Sequence, residues 1–192
     1  MTTYRALTTL PPLVQHARAL AERAQFAASC TAEVGRLLVV LAAHVRGGVI
    51  GEVGTGYGVG TAWLASALAP DARLVTVEQE AARVDAVREL FAARDDVQVL
   101  HGDWHLLLPH GPFDLLFADT KAKRDEAEIV LGALSLGGMV VLDDMTPGEH
   151  WPHEWRGQPD PVREFWLNEP RLAATEVLTG STMAAIVATR IG

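Results

Sequence analysis

Four glycines at every second position, Gly54, Gly56, Gly58 and Gly60, stand between an apolar run at 49–53 and a stretch of helical spacing at 61–68. Glycines between a strand and a helix let a ligand sit directly on backbone N–H groups, because no Cβ keeps it away. The turn therefore predicts a small-molecule site at the end of a strand. It also predicts a sheet built from strand–helix units. Spacing rules out two familiar ligand loops. A dinucleotide fingerprint, G-x-G-x-x-G, would need its third glycine at Val59 or Thr61. A phosphate-cradling loop would need Gly-Lys-Ser/Thr, and the segment has no lysine. What remains is Glu52-x-Gly54-x-Gly56-x-Gly58.

Beyond the loop, short apolar runs alternate with helical patterns. Strands are expected at 49–53, 73–77, 97–100, 113–118 and 139–142, the last bounded by Gly137-Gly138. Helices are expected at 61–68, 81–93, 104–108 and 124–134. Two helices precede them, from Pro11-Pro12 to about Ala28 and over 31–45, the second ended by Gly47-Gly48. Such alternation gives an α/β fold, a doubly wound, mostly parallel sheet covered on both faces. After an irregular, Pro- and Trp-rich segment at 147–161, a helix at 162–167 and two strands at 173–178 and 183–189 close the chain. The expectation is a single domain over 1–192, with helices in 1–46 and an α/β core in 47–192.

With 192 residues, 49% of them hydrophobic, one sizeable core is affordable. The net charge of −8, with no lysine–arginine run, disfavours nucleic acid as a partner. The one cysteine, Cys30, permits no internal disulfide and fits a reducing cytoplasm, where it reads as a core residue. No leader pattern opens the chain, and the apolar run at 37–43 is too short to span a bilayer, so no membrane partner is expected. The N-terminal helices are placed to cover the site or to mediate a homodimer.

Ligands of open α/β sheets bind at the carboxyl ends of the strands. Each of the five predicted strands ends on an acid: Glu52, Glu78, Asp103, Asp119 and the pair Asp143-Asp144. Glu78 lies 20 residues after Gly58, an offset that suits a carboxylate accepting both ribose hydroxyls of a nucleoside. The alternative is a solvated acid at a helix start. Asp103 suits the adenine amino group, with Trp104 against the ring, or the N-cap of the turn that follows. If the fourth and fifth strands are neighbours, three carboxylates converge. They would raise one another's pKa unless a cation balances them.

The motif Glu52-x-Gly54-x-Gly56-x-Gly58 resembles the first motif of class I S-adenosylmethionine-dependent methyltransferases. From about Thr31 to Ile186 the chain resembles the catechol and caffeoyl-CoA O-methyltransferase group. The resemblance includes Gly35-Arg36-Leu37-Leu38 and Gly137-Gly138-Met139-Val140-Val141-Leu142-Asp143-Asp144. It implies a Rossmann-like methyltransferase fold with an antiparallel C-terminal strand pair. It implies S-adenosyl-L-methionine held by Glu52, Gly54, Thr55, Gly56, Gly58, Gly60, Glu78, Asp103, Trp104 and Asp119, with Glu52 drawing the ammonium group. It also implies a divalent metal, usually magnesium, on Asp119, Asp143 and Asp144. Two positions depart from the group. Asp144 stands where the group has Asn. Ala122 stands where it has a Lys that is a candidate general base, so Lys121 and Lys123 become the candidates beside Asp119.

The function implied is metal-assisted O-methylation of a small hydroxylated, aromatic molecule. The alternatives are metal-independent N- or C-methylation of a small molecule, and a nucleoside-binding protein that keeps the fold without the chemistry. The segment after Asp144 is expected to lie over the substrate end. There Trp151 and Trp155 would form an apolar wall, and His150 and His153 would serve as bases or ligands. The other histidines, at 16, 44, 101, 105 and 110, show no partner pattern.

Overall fold

A computed structural model describes residues 9–192. The first eight residues, where the absence of a leader pattern was read, lie outside the described residues. Seven strands form one sheet: β1 (Val49–Val53), β2 (Arg73–Glu78), β3 (Val97–His101), β4 (Phe113–Ala118), β5 (Leu134–Leu142), β6 (Leu172–Leu178) and β7 (Ala184–Arg190). Their order across the sheet is β3-β2-β1-β4-β5-β7-β6, parallel except where β7 runs antiparallel to β5 and β6. The order reverses between β1 and β4. That topological switch point opens a crevice at the strands' carboxyl ends.

Helices cover both faces. Helices α1 (Pro12–Arg23), α2 (Ala32–Ala42), α3 (Val59–Ala65) and α4 (Ala81–Leu90) bury Val14, Leu38, Trp63 and Val87 against one face. A 3-10 turn at Trp104–His110, with α5 (Ala122–Asp125), α6 (Ala127–Gly132) and α7 (Pro161–Asn168), covers the other. Its core holds Leu107, Leu131 and Trp166. Local chemistry sets the helix starts. Pro12 opens α1, Thr31 caps α2 by accepting from Val34 N, and Asp160 caps α7 by accepting from Val162 N and Arg163 N.

Three elements differ from the sequence expectation. Helix α1, expected to reach about Ala28, ends at Arg23, so Phe26 lies outside it. Gly137 and Gly138 lie inside β5 instead of bounding it. A Cβ on Gly138 would strike the Phe113 carbonyl oxygen, so glycine is what lets β5 run close beside β4. The helix expected at 124–134 is two short helices broken at Glu126, whose φ of −139° leaves the helical region. Among the described residues no helix is long and apolar enough to cross a membrane.

Helix α1 stops in a Schellman motif. Gln25 N donates to Glu22 O and Phe26 N to Ala21 O, with Gln25 left-handed at φ 54°. Glycine adopts that conformation without the Cβ penalty. Relief of about 1–2 kcal/mol of strain outweighs the added unfolded-chain entropy, so Gln25→Gly is expected to raise stability by about 0.5–1 kcal/mol net. The urea midpoint measures it. An unchanged or lower midpoint would contradict the assigned strain.

Candidate active site

The carboxyl ends of β1, β2, β4 and β5 line up by register. Val53 pairs with Val77 and Ala118, and Ala118 with Leu142. The next residues along β4 and β5, Asp119 and Asp143, are therefore side by side at one edge. Asp144 joins them, and carboxylate oxygens of all three lie within 4.8 Å of one another. Asp143 is buried and accepts from the Asp144 backbone N–H at 2.8 Å. Asp144 has φ 58°, a left-handed conformation that Asp and Asn tolerate better than most residues. Burial first, then repulsion from Asp144 and Asp143, pushes the Asp119 carboxyl up to about 7. Burial is also the main cause that raises Asp143, to about 6. Three carboxylates crowded together form a hard, oxygen-only donor set, and a divalent cation relieves both burial and repulsion.

A cleft of about 450 Å³ opens beside these acids. Gly54, Gly56, Glu78, Trp104, Asp119, Lys121 and Asp144 line it together. Gly54 and Gly56 have φ of 94° and 55°, so the loop keeps its backbone turned to the cleft without strain. Glu78 is 7% exposed. One of its oxygens accepts from Gly56 N at 2.9 Å, and the other from Gln79 N and Glu80 N at 2.9 Å. The carboxylate is thereby fixed at the cleft wall with lone pairs left for a diol. Trp104 is held by its indole N–H, which donates to Glu126 at 2.5 Å.

Other expected contacts are placed elsewhere. Glu52 does not line this cleft. It pairs in register with Thr76, one residue short of the strand end, and sits 1% exposed below the loop. Thr61 and Thr76 hydroxyls donate to it at 2.5 and 2.7 Å. Thr76 has one hydrogen to give, so Thr55, 2.5 Å away, donates to Thr76. Burial raises Glu52 to about 7, against the pull of both hydroxyls. Thr55 is thus a brace for the loop. Gly58 packs on Val87 and Phe91, and Gly60 sits over the Glu52 carboxylate and Phe117. These two glycines serve the loop's own packing. A narrow space of about 10 Å³, room for one water, borders Glu52, Gly54, Thr55, Gly60 and Asp119, together with Ser29 and Cys30. The Ser29 hydroxyl is buried there without a hydrogen-bond partner.

Asp103 likewise does not line the cleft. It caps the 3-10 turn through His105 N and also binds the His105 ring Nδ1. His105 Nε2 lies 3.0 Å from Glu126. The hydrogen bond to Asp103 is the main cause that raises the His105 pKa. His105 therefore has the partners that the sequence did not reveal. Lys123 donates from Nζ to the Asp143 carbonyl and stands outside the cleft lining. Its charge lowers the pKa of Asp119 and Asp143. Lys121 starts α5 and lines the cleft.

The segment after Asp144 begins at the acid edge, but its aromatic residues do not wall the cleft. Trp151 turns back to donate to Thr146 O at 2.8 Å, and Trp155 is 59% exposed. His150 and His153 are exposed and are not cleft residues. Arg163 holds both ends of the segment. It binds Asp160 and Glu176 and donates to the carbonyls of Met145 and Thr146. Phe26, Gln79, Arg83 and Glu126 line the cleft without having been expected. Phe26, expected inside the first helix, sits beyond its end at Arg23, between α1 and α2.

Comparison with known proteins gives consistent results. A family model described as a methyltransferase domain matches residues 52–145. A catechol O-methyltransferase of Mycobacterium tuberculosis is 34% identical over 128 residues, which are 62% of this chain and 57% of that protein. A catechol O-methyltransferase of Niastella koreensis is 31% identical over 145 residues, 69% of this chain and 65% of that protein. The matches thus span less than two thirds of these relatives' own lengths. The crystal structure of an O-methyltransferase from Bacillus cereus in complex with SAH superposes with a TM-score of 0.78 at 23% identity. It covers 97% of this chain and 94% of the other, a likeness of fold.

Proposed function

The chain belongs to the class I S-adenosylmethionine-dependent methyltransferases, of the catechol and caffeoyl-CoA O-methyltransferase type, and from that membership we propose that it methylates a hydroxyl of a small aromatic molecule with the help of a divalent cation. One observation carries the reading: a glycine-backed cleft has a fixed acid, Glu78, on one wall and the Asp119–Asp143–Asp144 cluster at its rim. Gly54, Gly56, Glu78 and Trp104 would hold the cofactor, and Asp119, Asp143 and Asp144 the cation. The orphaned Ser29 hydroxyl and the crowded carboxylates fit polar and cationic guests respectively. When bound, the cofactor supplies the methyl group and the cation lowers the pKa of the acceptor hydroxyl.

The chain's own part is alignment. It fixes two ligands at adjoining strand ends, and orientation alone accounts for several kcal/mol of a barrier. Lys121, on the cleft wall, and Lys123, beside the acids, would be the candidates with Asp119 to take the acceptor's proton. Ala122, at the group's lysine position, is buried and has no proton acceptor to offer.

Thermal unfolding with separate additions tests the reading. S-adenosylhomocysteine at about 100 times its dissociation constant should add about 2.7 kcal/mol, a rise of roughly 5–10 °C. NAD should add nothing. A response to NAD alone would overturn the cofactor assignment, and full turnover of a catechol in strong chelator would overturn the metal.

A further inference from the structure

We propose that Phe26 is a cofactor-positioning residue, set at the junction between the nucleoside and amino-acid parts of the bound molecule and held there by Arg83. The proposal rests on the cofactor reading above and adds to it a residue from outside the α/β core.

Backbone geometry aims the ring. The Schellman stop of α1, with Gln25 at φ 54°, turns the chain so that Phe26 faces the glycine loop. A Cβ on Gly56 would lie 2.9 Å from the Phe26 ring, so the ring occupies the space a side chain there would need. The Tyr57 ring meets it edge-on, with centroids 5.3 Å apart and planes at 65°. The Arg83 guanidinium lies 4.8 Å from the ring centroid, and its Nη1 is 3.4 Å from Glu78 Oε1. One cation therefore ties the ring to the acid assigned to the ribose.

Position assigns the role. Phe26 borders the main cleft with Gly54, Gly56 and Glu78. It also borders the narrow space that holds Glu52, Asp119 and the unpartnered Ser29 hydroxyl. A ligand with a nucleoside in the first space and an amino-acid tail directed toward the second along the glycine loop must pass this ring. Hydrogen-bond accounting at Glu78 agrees. Oε1 already accepts from Gln79 N and Glu80 N at 2.9 Å, and the Arg83 bond is its longest. A ribose hydroxyl takes the place of Arg83 there without disturbing the backbone bonds, and Arg83 stays on the ring.

Calorimetric titration of wild type, Phe26→Ala and Phe26→Leu with S-adenosylhomocysteine and with adenosine tests this. Loss of roughly 50 Å² of apolar contact corresponds to about a tenfold loss of affinity. Phe26→Ala should therefore weaken S-adenosylhomocysteine about tenfold and leave adenosine within about threefold, while Phe26→Leu recovers most of the loss. Equal weakening of both ligands would make Phe26 a support of the loop only, and overturn the proposal. So would S-adenosylhomocysteine affinity within twofold of wild type. If Phe26→Ala does not fold, Arg83→Met decides: it should weaken S-adenosylhomocysteine by two- to fivefold, and no change refutes the latch. A wild type that binds neither ligand refutes the cofactor reading, and the proposal falls with it.

Discussion

Asp119→Asn is expected to abolish methyl transfer and, in metal-free buffer above pH 7, to leave a protein more stable than wild type. The two effects have one cause. Asp119 is pushed up to about 7 from an ordinary 3.8 by burial and by the carboxylates of Asp144 and Asp143. A carboxyl whose pKa is higher folded than unfolded binds its proton more tightly in the folded state. Its contribution is intact below the unfolded pKa and is lost as pH rises from about 4 to about 7. At about 1.4 kcal/mol per pKa unit, the loss is on the order of 2–4 kcal/mol. Asn removes the charge and therefore the loss. Asp143, raised to about 6, should behave alike with a smaller amplitude. A cation at the cluster reverses the balance, since it favours the charged forms. Manganese should stabilise the wild type at pH 8 and leave Asp119→Asn unmoved. Loss of one ligand and of acceptor activation should cost at least about a thousandfold in rate. Urea unfolding of both proteins at pH 5, 7 and 8, with chelator and with manganese, makes the measurement. Parallel pH profiles in chelator would sink the argument.

The acids at the strand ends were legible because an apolar run that stops on an acid marks the place where a buried strand meets solvent. Asp119, Asp143 and Glu78 followed from that alone. Glu52 looked the same in the sequence and is different in the structure. Its strand pairs one residue further, at Val53 with Val77, so Glu52 stays inside the sheet and meets Thr76 instead of the cleft. Register decides between the two outcomes, and register is a property of two strands that neither carries in its own pattern. Asp103 was open to two readings that can coexist, and the structure displays the capping one, with one carboxylate oxygen bound to His105. The break at Glu126 was illegible for a related reason. Glutamate favours helices, but here its carboxylate is recruited by Trp104 and His105 from another element. Phe26 was expected within the first helix, and only the turn at Gln25, which ends that helix early, points it at Gly56.

Glu78→Gln is expected to weaken S-adenosylhomocysteine by about a hundredfold, the largest loss of affinity from any single amide substitution at the site. The carboxylate accepts three backbone N–H groups, from Gly56 on one oxygen and from Gln79 and Glu80 on the other. An amide has one oxygen and one NH₂. Whichever way it turns, a donor faces a donor, and either the buried Gly56 N–H or the part-buried pair at Gln79 and Glu80 is left unsatisfied, at a cost of about 1–3 kcal/mol in the buried case. The charged acceptor for a ribose hydroxyl is lost as well, and such bonds contribute about 1.5–3 kcal/mol. Part of the first cost falls on the free protein, which should unfold at lower temperature. The second falls only on the complex. The two separate on comparison with Glu78→Asp, which keeps the charge but withdraws it from Gly56. Aspartate should retain more affinity than glutamine if charge dominates, and less if the position of the Gly56 amide dominates. Glu78→Gln that binds S-adenosylhomocysteine within threefold of wild type would place the nucleoside elsewhere and remove the reason for an acid at the end of β2.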